Sequence, residues 1–257
     1  MIEFMHHESW DQTLFIHYAV DKEKLQALLP PGLIVDVAPD GRAYVGIVAL
    51  TESGIVPYPK WLCRWLPLSH HAVNVRTYVK PNHDSGPSGI FFFSLDCTQL
   101  LPVLGARLLF GLPYFWTKMT RSVAADEFSF HSCRRRLHFN SSSSEGDASL
   151  QVEWEIDENE RSTIVPAEPT TLGAFFVERY CLYQGPPTWI LQLLLGIRTL
   201  WRGSISHAPW PLCTARIRHL HQTVLPSFLA SIVLSGIEPL THYSPGVSGI
   251  RFWIKDA

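Results

Sequence analysis

The chain alternates short oily runs with turns, and most of the runs have strand character. Residues 43–50, Ala-Tyr-Val-Gly-Ile-Val-Ala-Leu, are almost unbroken in their apolar character, as in a strand buried on both faces. Residues 72–79 and 90–96 flank a connection rich in Pro, Asn, Asp and Gly, which predicts an antiparallel hairpin. Residues 127–139 and 150–157 predict another, across the small polar tip at 140–147. Further strands are predicted at 33–37, 200–207, 215–224 and 249–254, with Asp40-Gly41 marking a tight turn.

Helical spacing is sparser. Asp21 is an N-cap for residues 22–29, and Pro30-Pro31-Gly32 stops that helix because neither proline can donate a backbone bond. Residues 102–110 predict a short helix running into the turn Gly111-Leu112-Pro113, with a strand after it. Residues 170–183 read as an amphipathic helix, with Leu172, Phe175, Phe176, Arg179 and Tyr180 at offsets of three and four. Residues 189–197 form the longest oily stretch and predict a buried helix, well short of the roughly 20 residues that cross a bilayer. No repeat of fixed period is present. The pattern predicts one β-rich α+β domain over residues 1–257, built on a large curved sheet or barrel.

Composition sharpens this picture. Apolar residues make up 46% and charged residues 17%, with nine Trp, fourteen Phe and eight Tyr, a mixture suited to a barrel with an apolar interior. Net charge is −2, and the one basic cluster, Arg134-Arg135-Arg136, is too small for a nucleic-acid stripe. The five cysteines are far apart and odd in number, so free thiols in a reducing, cytoplasmic setting are expected. The start of the chain lacks the basic and apolar regions of a signal peptide. There is no Gly-x-Gly-x-x-Gly, no Walker loop and no Gly-x-Ser-x-Gly, so neither a nucleotide cofactor nor a hydrolase triad is indicated. His219 and His221 share a strand face but lack a third ligand nearby, and no metal is expected.

The candidate chemistry lies on the predicted strands. Asn74 and Arg76 share a face by the two-residue period. An inward Arg76 would clamp a carboxylate; alternatively it pairs with Asp96 on the neighbouring strand. Arg107 either orients a ligand at the barrel mouth or pins its helix to a loop. His207, before Ala208-Pro209-Trp210-Pro211, suits an acid–base group or a hydrogen-bonded structural one. Glu178, Arg179 and Tyr180 are adjacent and cannot all face one way. If the strand after Pro113 runs on, Lys118 shares a face with Tyr114, about 13 Å away.

Several stretches, in order, carry a resemblance. They are residues 10–20 with Leu28-Leu29-Pro30-Pro31-Gly32-Leu33, then Asn74-Val75-Arg76-Thr77-Tyr78-Val79, Phe92-Phe93-Ser94-Leu95-Asp96, and Ala106-Arg107 with Leu112-Pro113-Tyr114. Glu178-Arg179-Tyr180, His207-Ala208-Pro209-Trp210-Pro211-Leu212 and His242-Tyr243-Ser244-Pro245-Gly246-Val247 complete them. From about residue 8 to residue 254 the chain resembles the YqjF-like family, domain of unknown function 2071. The resemblance implies a fold similar to acetoacetate decarboxylase, a double-layered antiparallel β-barrel around a small-molecule cavity. It also implies two departures. Tyr114 or Phe115 stands where those decarboxylases carry a Schiff-base lysine, and Ala72 stands where relatives tend to have a carboxylate.

The expected function is therefore a lyase-type enzyme acting on a small organic or keto acid without an imine. Arg76, Asn74, Asp96 and Arg107 would bind the substrate, and Tyr114 and His207 would handle protons. The alternative is a non-catalytic binding or sensing protein using the same cavity. A third reading makes residues 61–65 and 189–197 an exposed partner or membrane patch, which burial would dismiss. A homo-oligomer is left open.

Overall fold

The computed structural model describes residues 2–58, 68–82, 86–124, 127–134, 148–156, 160, 164–196 and 200–256. The oily loop at 61–65 and the polar tip at 140–147 lie outside them.

The first half of the chain lays down β1 (Ile2–Val20), β2 (Leu33–Val35), β3 (Ala43–Pro57), β4 (Leu68–Pro81) and β5 (Gly89–Cys97). Next come β6 (Tyr114–Trp116), β7 (Lys118–Ala124), β8 (Glu127–Arg134) and β9 (Ala148–Glu155). The rest adds β10 (Val165–Pro166), β11 (Cys181–Gln184), β12 (Trp201–Ser206), β13 (Pro211–Thr214), β14 (Arg216–Gln222) and β15 (Leu240–Asp256). The helices are α1 (Lys22–Gln26), α2 (Leu100–Gly105), α3 (Leu172–Val177), α4 (Trp189–Leu195) and α5 (Ser227–Ala230), with a π turn at Ala106–Phe110 directly after α2.

β1, β3, β4, β5, β11, β12 and β15 are hydrogen-bonded in that order, and β15 pairs back onto β1. The sheet thus closes into a barrel and leaves no open edge on that circuit. The ladders are antiparallel except where β5 meets β11 and β6. A second sheet, in the order β14-β9-β8-β7, covers one side of the barrel wall.

Strand alternation explains both layers. Leu14, Ile16, Val45, Ile47, Val73 and Val75 point out of the barrel and pack with Phe128, Phe130, Leu150, Val152 and Trp154 of the second sheet. Their neighbours Phe15, Tyr44, Val48, Leu50, Ala72 and Tyr78 point inward, where they meet Phe176, Trp201, Ile205 and Phe252. Residues 43–50 are buried throughout because this strand is covered on both faces. Each such side chain contributes roughly 1.5–3 kcal/mol by leaving water.

The local signals behave as predicted in several places. Asp21 caps α1, accepting from the Lys24 amide at 3.0 Å. The two hairpins appear as β4–β5 and β8–β9. The π turn stops at Gly111, which takes the left-handed φ of 68° and donates its amide to the Arg107 carbonyl.

Three expectations are corrected. The helix predicted over 170–183 is only α3, because residues 181–184 join the barrel as β11 beside β5 and β12. The strand after Pro113 ends at Trp116, and Lys118 opens β7 in the other sheet, exposed and opposite Cys133. The helix predicted at 189–197 is α4, and two of its large side chains stand in the open rather than in the core. Trp189 is 72% and Leu193 75% exposed.

Candidate functional site

The inner faces of β3 and β4 bring several polar groups into the barrel. Register places Gly46 opposite Arg76, Val48 opposite Asn74, and Glu52 opposite His70. Arg76 donates through one terminal nitrogen to the Phe176 carbonyl at 2.9 Å, and its guanidinium lies 5.7 Å from the Phe15 ring centre and 5.8 Å from that of Tyr78. Its Nε is buried without a hydrogen-bond partner, and so is Oδ1 of Asn74. Among the described residues no carboxylate lies within ion-pair distance of Arg76. Unpaired groups of this kind are unfavourable by about 1–3 kcal/mol each in an apolar interior, so they mark a place where a polar ligand would be stabilised.

The Arg76–Asp96 pair does not form. A bulge in β5 moves the register from Val75 opposite Ser94 to Arg76 opposite Phe92. The extra residue inverts the parity of the strand, so Asp96 faces outward opposite Val73. There it accepts from Arg134 Nε at 2.6 Å and Nη2 at 2.7 Å, and from the Thr117 hydroxyl at 2.8 Å. Asp96 is thereby removed from the interior.

The same register decides between Tyr114 and Phe115. β6 runs parallel to β5 with Tyr114 beside the inward Leu95 and Phe115 beside the outward Asp96. Phe115 accordingly lies under Arg134, with the guanidinium carbon 3.9 Å from the ring centre. The Tyr114 ring is part-exposed, but its hydroxyl end is buried, and burial, followed by the charges of Glu52 and Cys97, raises its pKa well above the ordinary value. Tyr114 is therefore a neutral donor. Arg107 is exposed and donates to the Tyr114 carbonyl at 3.0 Å, so it steadies β6 from outside. Beside Pro113, the edge of β5 away from β4 has no strand partner among the described residues between its β11 and β6 pairings, and a cleft of about 360 Å³ opens there, bounded in part by Phe92, Pro113 and Gln184.

A charged group on the inner wall escaped the sequence reading. Glu52 Oε2 lies 3.1 Å from His70 Nε2 and 3.8 Å from His7 Nδ1, and His7 accepts from the Trp10 indole at 2.9 Å. The Glu52–His70 contact is an ion pair rather than a well-directed hydrogen bond. Burial opposes charge on His70, but the Cys97 thiol and the Glu52 carboxylate outweigh it and raise the pKa to about 10. Burial likewise opposes ionisation of Glu52, and His70 and His7 overcome it, so that pKa is lowered. His7 is left neutral, with burial lowering its pKa to about 4. No signal along the sequence links Glu52 to His70; only strand pairing does.

A second cluster lies further along the wall. His17 Nε2 is 2.6 Å from the Tyr78 hydroxyl, and its ring stacks on Phe176 at 3.8 Å. Burial, with the charges of His242 and Arg76, lowers the His17 pKa far below its ordinary value. His207 stands apart, stacked on Tyr180 at 4.6 Å with its Nδ1 2.7 Å from the Ala208 carbonyl. Burial lowers its pKa, and Arg76 pushes the same way. Arg179 pairs with Asp36 at 2.8 Å, and Glu178 accepts from the Trp210 amide at 2.8 Å, so both are structural. His219 and His221 are exposed on β14, and no group of metal-ligating residues occurs among the described residues.

Residues 7–248 match DUF2071, described as an uncharacterised conserved protein. The chain belongs to this family. It is 29% identical over 251 residues to the uncharacterised protein YqjF of Bacillus subtilis strain 168, covering 96% of this chain and 89% of that one. Among solved structures it is similar to the enduracididine biosynthesis enzyme MppR complexed with pyruvate, with a TM-score of 0.63 at 12% identity, covering 98% of this chain and 90% of that one. It is also similar to acetoacetate decarboxylase from Legionella pneumophila, with a TM-score of 0.57 at 14% identity, covering 96% and 86%. This DUF2071 member thus has an acetoacetate decarboxylase-like barrel. The likeness to these structures speaks to the fold alone.

Proposed function

We propose that the barrel interior binds a small organic acid, with Arg76 as the anion clamp and Asn74 as the orienting amide. The observation that carries this reading is a half-buried guanidinium that has no carboxylate partner among the described residues and whose buried Nε has no hydrogen-bond partner. A planar, always-charged fork in an apolar wall favours a carboxylate over a neutral ligand. The pyruvate complexed with the similar MppR structure makes a 2-oxo acid the first ligand to try.

Lyase-type turnover without an imine is the second reading, favoured by Tyr114. A buried, neutral phenol donates to a developing enolate or oxyanion rather than attacking a carbonyl. His207 would exchange the proton with solvent. Asp96 and Arg107 drop out of the substrate-binding set, since one faces outward and the other is exposed.

The test is calorimetric titration with pyruvate and acetoacetate, together with thermal stabilisation by a panel of keto and fatty acids. Arg76→Gln should weaken binding at least roughly tenfold, with Arg76→Lys intermediate. Undiminished affinity in Arg76→Gln would refute the clamp. Release of carbon dioxide or exchange of α-protons that stops in Tyr114→Phe would favour turnover over simple binding.

A further inference from the structure

Glu52, His70 and Cys97 stand on the neighbouring strands β3, β4 and β5 and share the inner face of the barrel. Glu52 lies opposite His70, while Cys97 lies opposite Ala72, two residues on from His70 along the same side of β4. Diagonal neighbours of this kind are within reach of a long side chain, so the His70 ring meets the Cys97 sulfur on one side and Glu52 on the other. Glu52 Oε2 is 3.1 Å from His70 Nε2. A carboxylate, an imidazole and a thiol thus follow one another across three strands, which is the order that assembles a cysteine nucleophile. Neither the Arg76 clamp nor the Tyr114 donor makes use of that thiol.

The surroundings of the sulfur suit the role. The Gln99 amide donates to Cys97 Sγ at 3.3 Å, and the thiol faces the Gln99 carbonyl at 3.5 Å. Burial opposes charge on His70, but the Cys97 thiol and the Glu52 carboxylate outweigh it, so the ring holds its proton at neutral pH. A cationic imidazole and a backbone amide around one sulfur are the setting in which cysteines become nucleophilic. Neither His70 nitrogen makes a well-directed hydrogen bond and His7 Nε2 has no partner, although both residues are more than nine-tenths buried. Polar capacity left open in a buried cluster is what a polar reactant would fill. Burial, and then the charges of Glu52 and Cys97, raise the Tyr114 pKa, so its phenol is within electrostatic reach of both. Cys97 is fully buried, whereas 12% of the Glu52 side chain is accessible, so the approach runs past Glu52 and admits only small reactants.

We infer that Cys97 is a nucleophile that adds to the carbonyl carbon of a small 2-oxo acid, with His70 as its proton partner, Glu52 positioning His70, and Tyr114 donating to the carbonyl oxygen. The inference deepens the keto-acid reading of the barrel and rests on it for the choice of ligand. The sulfur lone pair forms the C–S bond, the carbonyl π pair moves onto oxygen, and the proton shared by the thiol and His70 ends on that oxygen. The product is a tetrahedral thiohemiketal. No oxidant, reductant or second reactant is consumed, and the reverse steps release the acid unchanged. Covalent capture is thereby available without an amine.

Two measurements on the full chain test it. The first is alkylation of the folded protein by iodoacetamide and by bromopyruvate, with peptide mapping of the modified cysteines. Cys97 should be modified by both, and its rate is read against that of Cys213, which is buried elsewhere and reports any unfolding in the same sample. His70→Asn and Glu52→Gln should each lower that relative rate about tenfold, with Glu52→Asp recovering part of the loss. Arg76→Gln should slow bromopyruvate but not iodoacetamide, which separates a failed clamp from a failed nucleophile. The second is the carbon NMR spectrum of pyruvate labelled at its carbonyl carbon, in which a tetrahedral signal should appear with the wild type and be absent with Cys97→Ser. An unmodified Cys97, a relative rate unchanged in His70→Asn, or bound pyruvate that stays wholly trigonal would each overturn the inference.

Discussion

His17 Nε2 and the Tyr78 hydroxyl meet at 2.6 Å inside the barrel, and the missing side chain of Gly46 is what lets them. A Cβ at Gly46 would lie 2.9 Å from His17 Cδ2 and 3.4 Å from the Tyr78 hydroxyl. Gly46→Ala should therefore destabilise by about 1–3 kcal/mol through overpacking, and Tyr78→Phe by a similar amount through an unpaired imidazole nitrogen. Urea denaturation midpoints measure both. An unchanged midpoint in Gly46→Ala would show that the pair yields freely.

Asp96 and Arg134 form a bidentate pair on the outer face, with Asp96 almost wholly buried. Arg134→Ala should cost about 3–5 kcal/mol, because it leaves a buried carboxylate alone. Asp96→Asn combined with Arg134→Met should recover most of that loss. A double-mutant cycle with no coupling would contradict the pairing.

The Glu52–His70 pair makes stability depend on pH. The folded-state pKa of His70 lies above its ordinary 6.5, at about 10, so its contribution is complete below 6.5 and is lost as pH rises through 10. Glu52 is lowered, so its contribution is present above the ordinary carboxylate range and fades as pH falls through the depressed value. Melting temperatures from pH 6 to 10.5 should fall for the wild type and stay flatter for Glu52→Gln. Parallel curves would rule out the pair as the source.

Borohydride reduction in the presence of acetoacetate should trap no adduct. Tyr114 occupies the inward position of β6, and Lys22, Lys24, Lys80 and Lys118 are all exposed on the surface. A stable mass increase on any lysine would reverse this expectation.

Much of the local architecture was legible along the chain. Period-two alternation and turn residues specify the β4–β5 and β8–β9 hairpins, Asp21 starts α1, and Gly111 closes the π turn. In the candidate site, alternation also places Asn74, Arg76 and Tyr78 on one face of β4. Asp96, Glu52 and Lys118 were misplaced or missed for a common reason. Each depends on which strand lies alongside, or on where a ladder slips.

The sequence by itself determined which segments extend, where they turn, and that no lysine follows Pro113, because these follow from short-range sterics and side-chain chemistry. Only the tertiary structure decided that β15 closes onto β1, that a bulge in β5 sends Asp96 outward, and that Glu52 meets His70 across β3 and β4. It also decided that residues 181–184 leave their helical pattern for the barrel, while α4 keeps Trp189 and Leu193 in the open. Such pairings join residues far apart in the chain, and one inserted residue inverts a period of two, so no local pattern encodes them.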